Sequence, residues 1–170
     1  MRLPLRLFAL LLTVLLLTAC GFHLRGQESM PFKTLYLNAG DPGTAFINDL
    51  RRNLEANHVQ LVDTAEQAEV VLNIVFEISD KQILSLGGDG RVNEFRLTYR
   101  VSLRAYDIKQ QDWIPAVELE LRRDFSYDDT KTLAKEAEEA LLLQSMRSDM
   151  VQRIVRRMSR AKPQPPALPK

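Results

Sequence analysis

Cys20 is the chain's one cysteine, and two histidines, His23 and His58, complete its stock of soft or switchable side chains. A metal centre needs several ligands at fixed spacing, and nothing stands at such a spacing from either histidine. Asp128-Asp129 has the composition of an acid–base pair. It opens a helical stretch, however, where carboxylates cap free backbone amides. Gly87-Gly88-Asp89-Gly90 lacks the lysine and the following helix of a phosphate loop, and reads as a turn. No serine has the setting of a nucleophile elbow. The sequence therefore predicts a protein that is not an enzyme and holds no metal.

The chemistry expected of Cys20 follows from what precedes it. Arg2 and Arg6 are followed by Leu7 to Leu17, apolar except for Thr13, and then by small Ala19. Charged start, apolar run and small-residue end form the layout of a secretory signal, here residues 1–19. The run is too short for a transmembrane helix, which needs about 20 apolar residues. Leu17-Thr18-Ala19-Cys20 resembles the lipobox of bacterial lipoproteins. That resemblance implies cleavage before Cys20, diacylglycerol on its sulfur and an acyl chain on its new amine. One acyl chain binds a membrane marginally, whereas several hold it stably. This covalent lipid is the only cofactor-like group expected. Gly21, rather than an aspartate, follows the cysteine. By the same resemblance it favours the outer membrane.

Loss of residues 1–19 removes two arginines and no acid, which takes the formal net charge from +1 to −1. Bulk attraction to nucleic acid is not expected. Any recognition of anions must be local. With Cys20 modified, no thiol remains for a disulfide, although the compartment is oxidising.

The elements that position the remaining residues can be read from periodicity. Residues 20–32 form a tether. Leu35 and Leu37 alternate with Thr34, Tyr36 and Asn38 in a first strand. Gly40 to Gly43 break it, and Thr44 can cap a helix over 45–57, whose Phe46, Ile47, Leu50 and Leu54 lie at helical spacing. VQLV (59–62) offers a short extended piece. In Val70 to Ser79 the pattern sets Val70, Leu72, Ile74, Phe76 and Ile78 on one face, and Lys81 to Leu86 continues the strand. The long strand from Phe95 to Ala105 alternates apolar residues with Arg96, Thr98, Arg100, Ser102 and Arg104. Val117 to Tyr127 returns, with Glu118 and Glu120 on the wet face and Arg123 interrupting the apolar one. The neighbours of the arginine ladder on the next strand include Glu118 and Glu120, so cross-strand ion pairs account for it. A long helix runs from about Thr130 to Arg160, its acids early and its arginines late, as the helix dipole favours. Its Met146, Met150 and Met158 read as core rather than as a soft binding groove. Residues 161–170 contain four prolines and read as a disordered tail. The predicted class is α+β, a two-layer β-α-β-β-β-α domain over 33–160. Two helices lie on one face of a mixed four-stranded sheet, with the other face polar.

The phrase Cys20-Gly21-Phe22-His23-Leu24-Arg25-Gly26 is similar to the mature start of the LptE family of lipopolysaccharide-assembly lipoproteins. AGDP (39–42) before the first helix, LAK (133–135) in the last and the order of elements extend the resemblance over most of 20–160. It implies a non-catalytic partner of the LptD outer-membrane β-barrel. Such a partner is anchored on the periplasmic side, sits in the barrel lumen as a plug, helps the barrel assemble, and contacts lipopolysaccharide. In the family, basic residues near the turn between the second and third strands and at the start of the last helix are contact candidates. Here those are Arg91, after GGDG, and Lys135, in LAK. The alternative is a lipoprotein accessory subunit of another envelope transport complex or ABC transporter.

Overall fold

The computed structural model describes residues 29–164, so the signal segment, Cys20 and most of the tether lie outside the described residues. The elements are β1 (Thr34–Ala39), α1 (Ala45–Ala56), β2 (Gln60–Leu61), β3 (Val70–Leu86), β4 (Val92–Tyr106), β5 (Asp112–Ser126) and α2 (Thr132–Ser159). The sheet order is β2-β1-β3-β4-β5. β1 runs parallel to both its neighbours, and β3, β4 and β5 form an antiparallel meander.

The sheet thus has five strands, not four. The chain leaving α1 turns through His58, whose φ is 62°. It then satisfies the outer edge of β1, with Gln60 N donating to Lys33 O at 2.8 Å and Val62 N to Leu35 O at 3.0 Å. Backbone pairing of an otherwise bare edge, not side-chain pattern, makes this strand.

α1 begins where Thr44 Oγ1 accepts from Ile47 N at 3.2 Å. Its Phe46, Ile47, Leu50 and Leu54 are buried. They share one core with Leu35 and Leu72 of the sheet and with Met146, Met150, Ile154 and Met158 of α2. The methionine stripe is therefore packing. The first half of α2 projects beyond that core, leaving Leu133 84% and Leu141 67% exposed. No helix among the described residues is long and apolar enough to cross a membrane.

β3 corrects the sequence reading most sharply. Leu72 faces Ala105 and Ile74 faces Leu103, but the register slips by one at Val75, and Phe76 then faces Ser102. A bulge inserts one residue and exchanges the two faces of everything beyond it. Phe76 and Ile78 therefore join Ser102 and Arg100 on the open face. Glu77 and Lys81 turn toward the helices, opposite Val101 and Leu97. The helix side accommodates both charges. Glu77 accepts from Thr44 Oγ1 at 3.1 Å and from the hydroxyl of buried Tyr99. Lys81 Nζ lies 2.7 Å from Glu139 of α2 and over the ring of Phe95. Arg123 also stays on the helix side, where Asp149 of α2 lies at 2.6 Å.

Both ends of the domain extend past the predicted limits. Phe32, assigned to the tether, is 4% exposed and meets Trp113 edge-on at 5.8 Å. Residues 161–164, assigned to the tail, close over the same end. Ala161 is buried, Gln164 N donates to Asp112 O at 2.7 Å, and Gln111 Nε2 donates to Gln164 O at 2.7 Å. Proline enrichment lowers the entropy of an extended chain, so it does not oppose such packing.

Candidate functional site

Two regions carry the residues singled out by sequence: the open face of the sheet, and the end formed by the β3–β4 turn with the start of α2. Cys20 lies outside the described residues.

On the open face the arginine ladder is neutralised pair by pair. Arg96 grips Asp124 with two bonds, Nε to Oδ1 at 2.8 Å and Nη2 to Oδ2 at 2.9 Å. Arg100 Nη1 lies 3.3 Å from Glu118 Oε1, and Arg104 Nε 2.7 Å from Asp112 Oδ1. Arg122 pairs with Glu120. The forked bond from Arg96 holds the Asp124 carboxyl below its usual range, and Asp124 in turn raises the Arg96 guanidinium. Such exposed pairs are each weak. Together they give each of these four arginines an acid, so the ion-pair reading of the ladder holds.

The turn end is built by backbone geometry. Gly87 N bonds Arg91 O at 2.7 Å and Gly90 N bonds Gly87 O at 3.0 Å. Gly90 has φ 79°, a conformation that glycine adopts without strain. Tyr127 N donates to Asn93 O at 2.7 Å, which fixes the end of β5 beside the turn. Asp128 then accepts from Thr130 N at 3.0 Å and from its hydroxyl at 2.6 Å, a turn that leads into α2. The bonds from Thr130 hold the Asp128 carboxyl below its usual range. The acidic pair is thus partly a capping device.

Arg91 and Lys135 both lie at this end, but each already has acidic company. Arg91 reaches Asp129 Oδ2 at 3.2 Å and Asp89 Oδ2 at 3.4 Å while remaining 65% exposed. Lys135 lies 2.8 Å from Glu138 and 3.2 Å from Ser126 Oγ, and its side chain is only 15% exposed. An open hollow of about 660 Å³ is lined by Arg91, Asn93, Tyr127 and Asp129, without Lys135. Sequence reasoning did not pair these acids with the cations, and it did not single out Ile83 (57% exposed) and Leu86 (58%) near the end of β3 or Leu133 at the start of α2 as exposed apolar side chains. The run Ile83-Leu84 beside a turn was the available signal. Cations that can exchange partners, next to exposed aliphatic side chains, form an arrangement suited to an amphiphilic anion.

Comparison with known proteins agrees with this architecture. The LptE family model, described as lipopolysaccharide-assembly, matches residues 32–158. The LPS-assembly lipoprotein LptE of Pectobacterium atrosepticum is 30% identical over 158 residues, spanning 90% of this chain and 85% of its own length. The protein of the same name from Photorhabdus laumondii is 29% identical, spanning 86% of this chain and 81% of its own. Among solved structures, lipoprotein B of Nitrosomonas europaea superimposes with TM-score 0.69 at 39% identity, covering 80% of this chain and 88% of its own. The rare lipoprotein B of Shewanella oneidensis gives 0.68 at 29% identity, covering 75% and 94%. A match over that span, on this sheet and these two helices, makes the chain a member of the LptE family of lipopolysaccharide-assembly lipoproteins.

Proposed function

We propose that this chain is the lipid-anchored partner of an LptD-type β-barrel in the outer membrane. Cys20 carries the anchor on the periplasmic side. The domain enters the barrel lumen, acts as its plug and assembly partner, and assists lipopolysaccharide transport to the outer leaflet. The observation that carries this reading is the bare, charge-paired sheet face. A face whose arginines 96, 100, 104 and 122 each pair with an acid, beside the hydroxyls of Thr98 and Ser102, suits a polar enclosure, and large barrels are polar inside. Purification of the native complex is the test. Recovery of a large outer-membrane barrel supports the reading; recovery of an inner-membrane transporter instead establishes the alternative of a transporter accessory subunit. Unmodified Cys20 in the mature protein by mass spectrometry ends the anchor reading.

Lipopolysaccharide contact is proposed at the turn end, through Arg91 and Lys135. Lipid A presents phosphates together with acyl chains. The Arg91 guanidinium can trade exposed Asp89 and Asp129 for phosphate at small cost, because exposed pairs are each worth about 0–1 kcal/mol. Ile83, Leu86 and Leu133 lie ready for apolar contact. Charge-assisted bonds contribute about 1.5–3 kcal/mol. Arg91→Gln with Lys135→Gln should therefore weaken lipopolysaccharide binding at least about tenfold and leave barrel capture intact. Unchanged binding at low salt removes the site.

A further inference from the structure

The end of the domain opposite Arg91 carries a second basic feature. Arg153, Arg156, Arg157 and Arg160 stand three and four residues apart, so they share one face of α2. They rim an open cleft of about 700 Å³ whose floor is Trp113, Ile114 and Leu119. Arg153 donates to the Glu120 carbonyl at 3.2 Å. Among the described residues, no carboxylate pairs with Arg156, Arg157 or Arg160, nor with Lys162 beside them. On the open face, by contrast, arginines 96, 100, 104 and 122 all have acids. The helix dipole favours Arg156, Arg157 and Arg160 at the last turn, but its effect fades within that turn and does not account for Arg153 further back.

Two observations say what covers the cleft. The first is the route of the chain. Phe32, twelve residues after Cys20, packs against Trp113 at this end. A dozen residues reach at most about 40 Å, at roughly 3.3–3.6 Å each. The second is the aromatic floor. The indole N–H of Trp113 is removed from water and has no hydrogen-bond partner among the described residues. Tryptophan beside unpaired cations is the composition of a surface that meets lipid headgroups.

We infer that the Trp113–Arg160 cleft docks on the phosphate headgroups of an anionic bilayer and orients the domain on its tether. The inference rests on the proposed anchoring at Cys20, which brings this end to the membrane. A lipid chain and a basic patch are complementary signals: the first holds the protein at the surface, and the second fixes which end faces it. The 15 residues of β4 then carry Arg91 roughly 45 Å away, at about 3.3 Å per residue.

The test uses the chain from Cys20 to Lys170 with Cys20→Ala, so the result does not depend on lipidation, which mass spectrometry examines separately. Vesicles of phosphatidylcholine alone are compared with vesicles containing one third phosphatidylglycerol. Trp113 is the chain's one tryptophan, so its emission reports directly on the cleft. The expected result is cosedimentation with the anionic vesicles only, with quenching of Trp113 by headgroup-labelled lipid. Arg156→Gln, Arg157→Gln and Arg160→Gln together should weaken this at least about tenfold, because each charge near the surface adds to the attraction. Arg51→Gln with Arg52→Gln, on α1, should not. Equal binding to both vesicle types, an unaffected triple variant, or an equal loss in the α1 variant overturns the proposal. So does complete displacement by inorganic phosphate at millimolar concentration, which would make the cleft a free-anion site.

Discussion

Tyr99 donates its hydroxyl to Glu77 across the β3–β4 pair, on the face of the sheet that carries the helices. Glu77 stands there because the bulge at Val75 has turned it inward. Burial, followed by the bond to Glu77, pushes the Tyr99 hydroxyl far above its ordinary pKa. A group whose folded pKa is raised contributes stability that is complete below its unfolded pKa, near 10, and is lost as pH rises past it. Stability should therefore fall by up to about 1.4 kcal/mol per pH unit above about pH 10 from this residue alone. Denaturant titrations at stepped alkaline pH, with Tyr99→Phe as reference, measure it. Identical slopes in both proteins would show that the hydroxyl ionises freely in the fold.

The bulge also makes a prediction about hydrophobic residues. Ile74 is 4% exposed and Ile78 is 43% exposed, although they are separated by an even step along one strand. Ile74→Ala should cost about 2–5 kcal/mol, as large-to-small changes in a core do. Ile78→Ser should cost under about 1 kcal/mol. Equal losses by chemical denaturation would mean that β3 is a straight strand.

Asp124 gives the acid limb. Its carboxyl is held low by Arg96, so its contribution is present above the ordinary carboxylate range and is lost as pH falls through its folded pKa. Asp124→Asn should flatten the dependence of Tm on pH below about pH 4. A variant with an unchanged acid profile would show that the pair contributes nothing.

The closing segment makes the fourth prediction. A chain ending at Arg160 loses buried Ala161 and both bonds at Gln164 that a chain ending at Gln164 retains. The shorter chain should be less stable by about 1–2 kcal/mol, which lowers Tm by roughly 2–8 °C at this size. Coincident melting curves would show that the segment is not packed.

β4 was legible because its alternation is unbroken from Phe95 to Ala105, and a strand with one wet face must read that way. The bulge was not, because Val75 and Phe76 are both apolar and the arithmetic of even positions continues through them. β2 was only half visible: two residues bonded through their backbones leave no side-chain period. At the turn end, the family resemblance singled out Arg91 after the GGDG turn and Lys135 near the start of the last helix. Glu138, three residues after Lys135 on one helix, was within reach of pattern, but Asp89 and Asp129 meet Arg91 only through the folded turn and exposed side-chain reach. The basic cleft was read as a helix-dipole feature, since only folding brings Trp113 beneath those arginines.

Beyond Ile74, β3 has β4 on one side and, among the described residues, no strand on the other, and it runs on to Leu86. Register shifts near Ser85 blunt its last part, but Val75 and Ile83 remain exposed along it. A free edge of that length is a template for any extended chain it meets, including copies of itself. A cell therefore benefits from synthesising this protein no faster than whatever shields that edge becomes available. Surplus copies would be the burden of proteases and chaperones, which ties the useful amount of this protein to the amount of its shield.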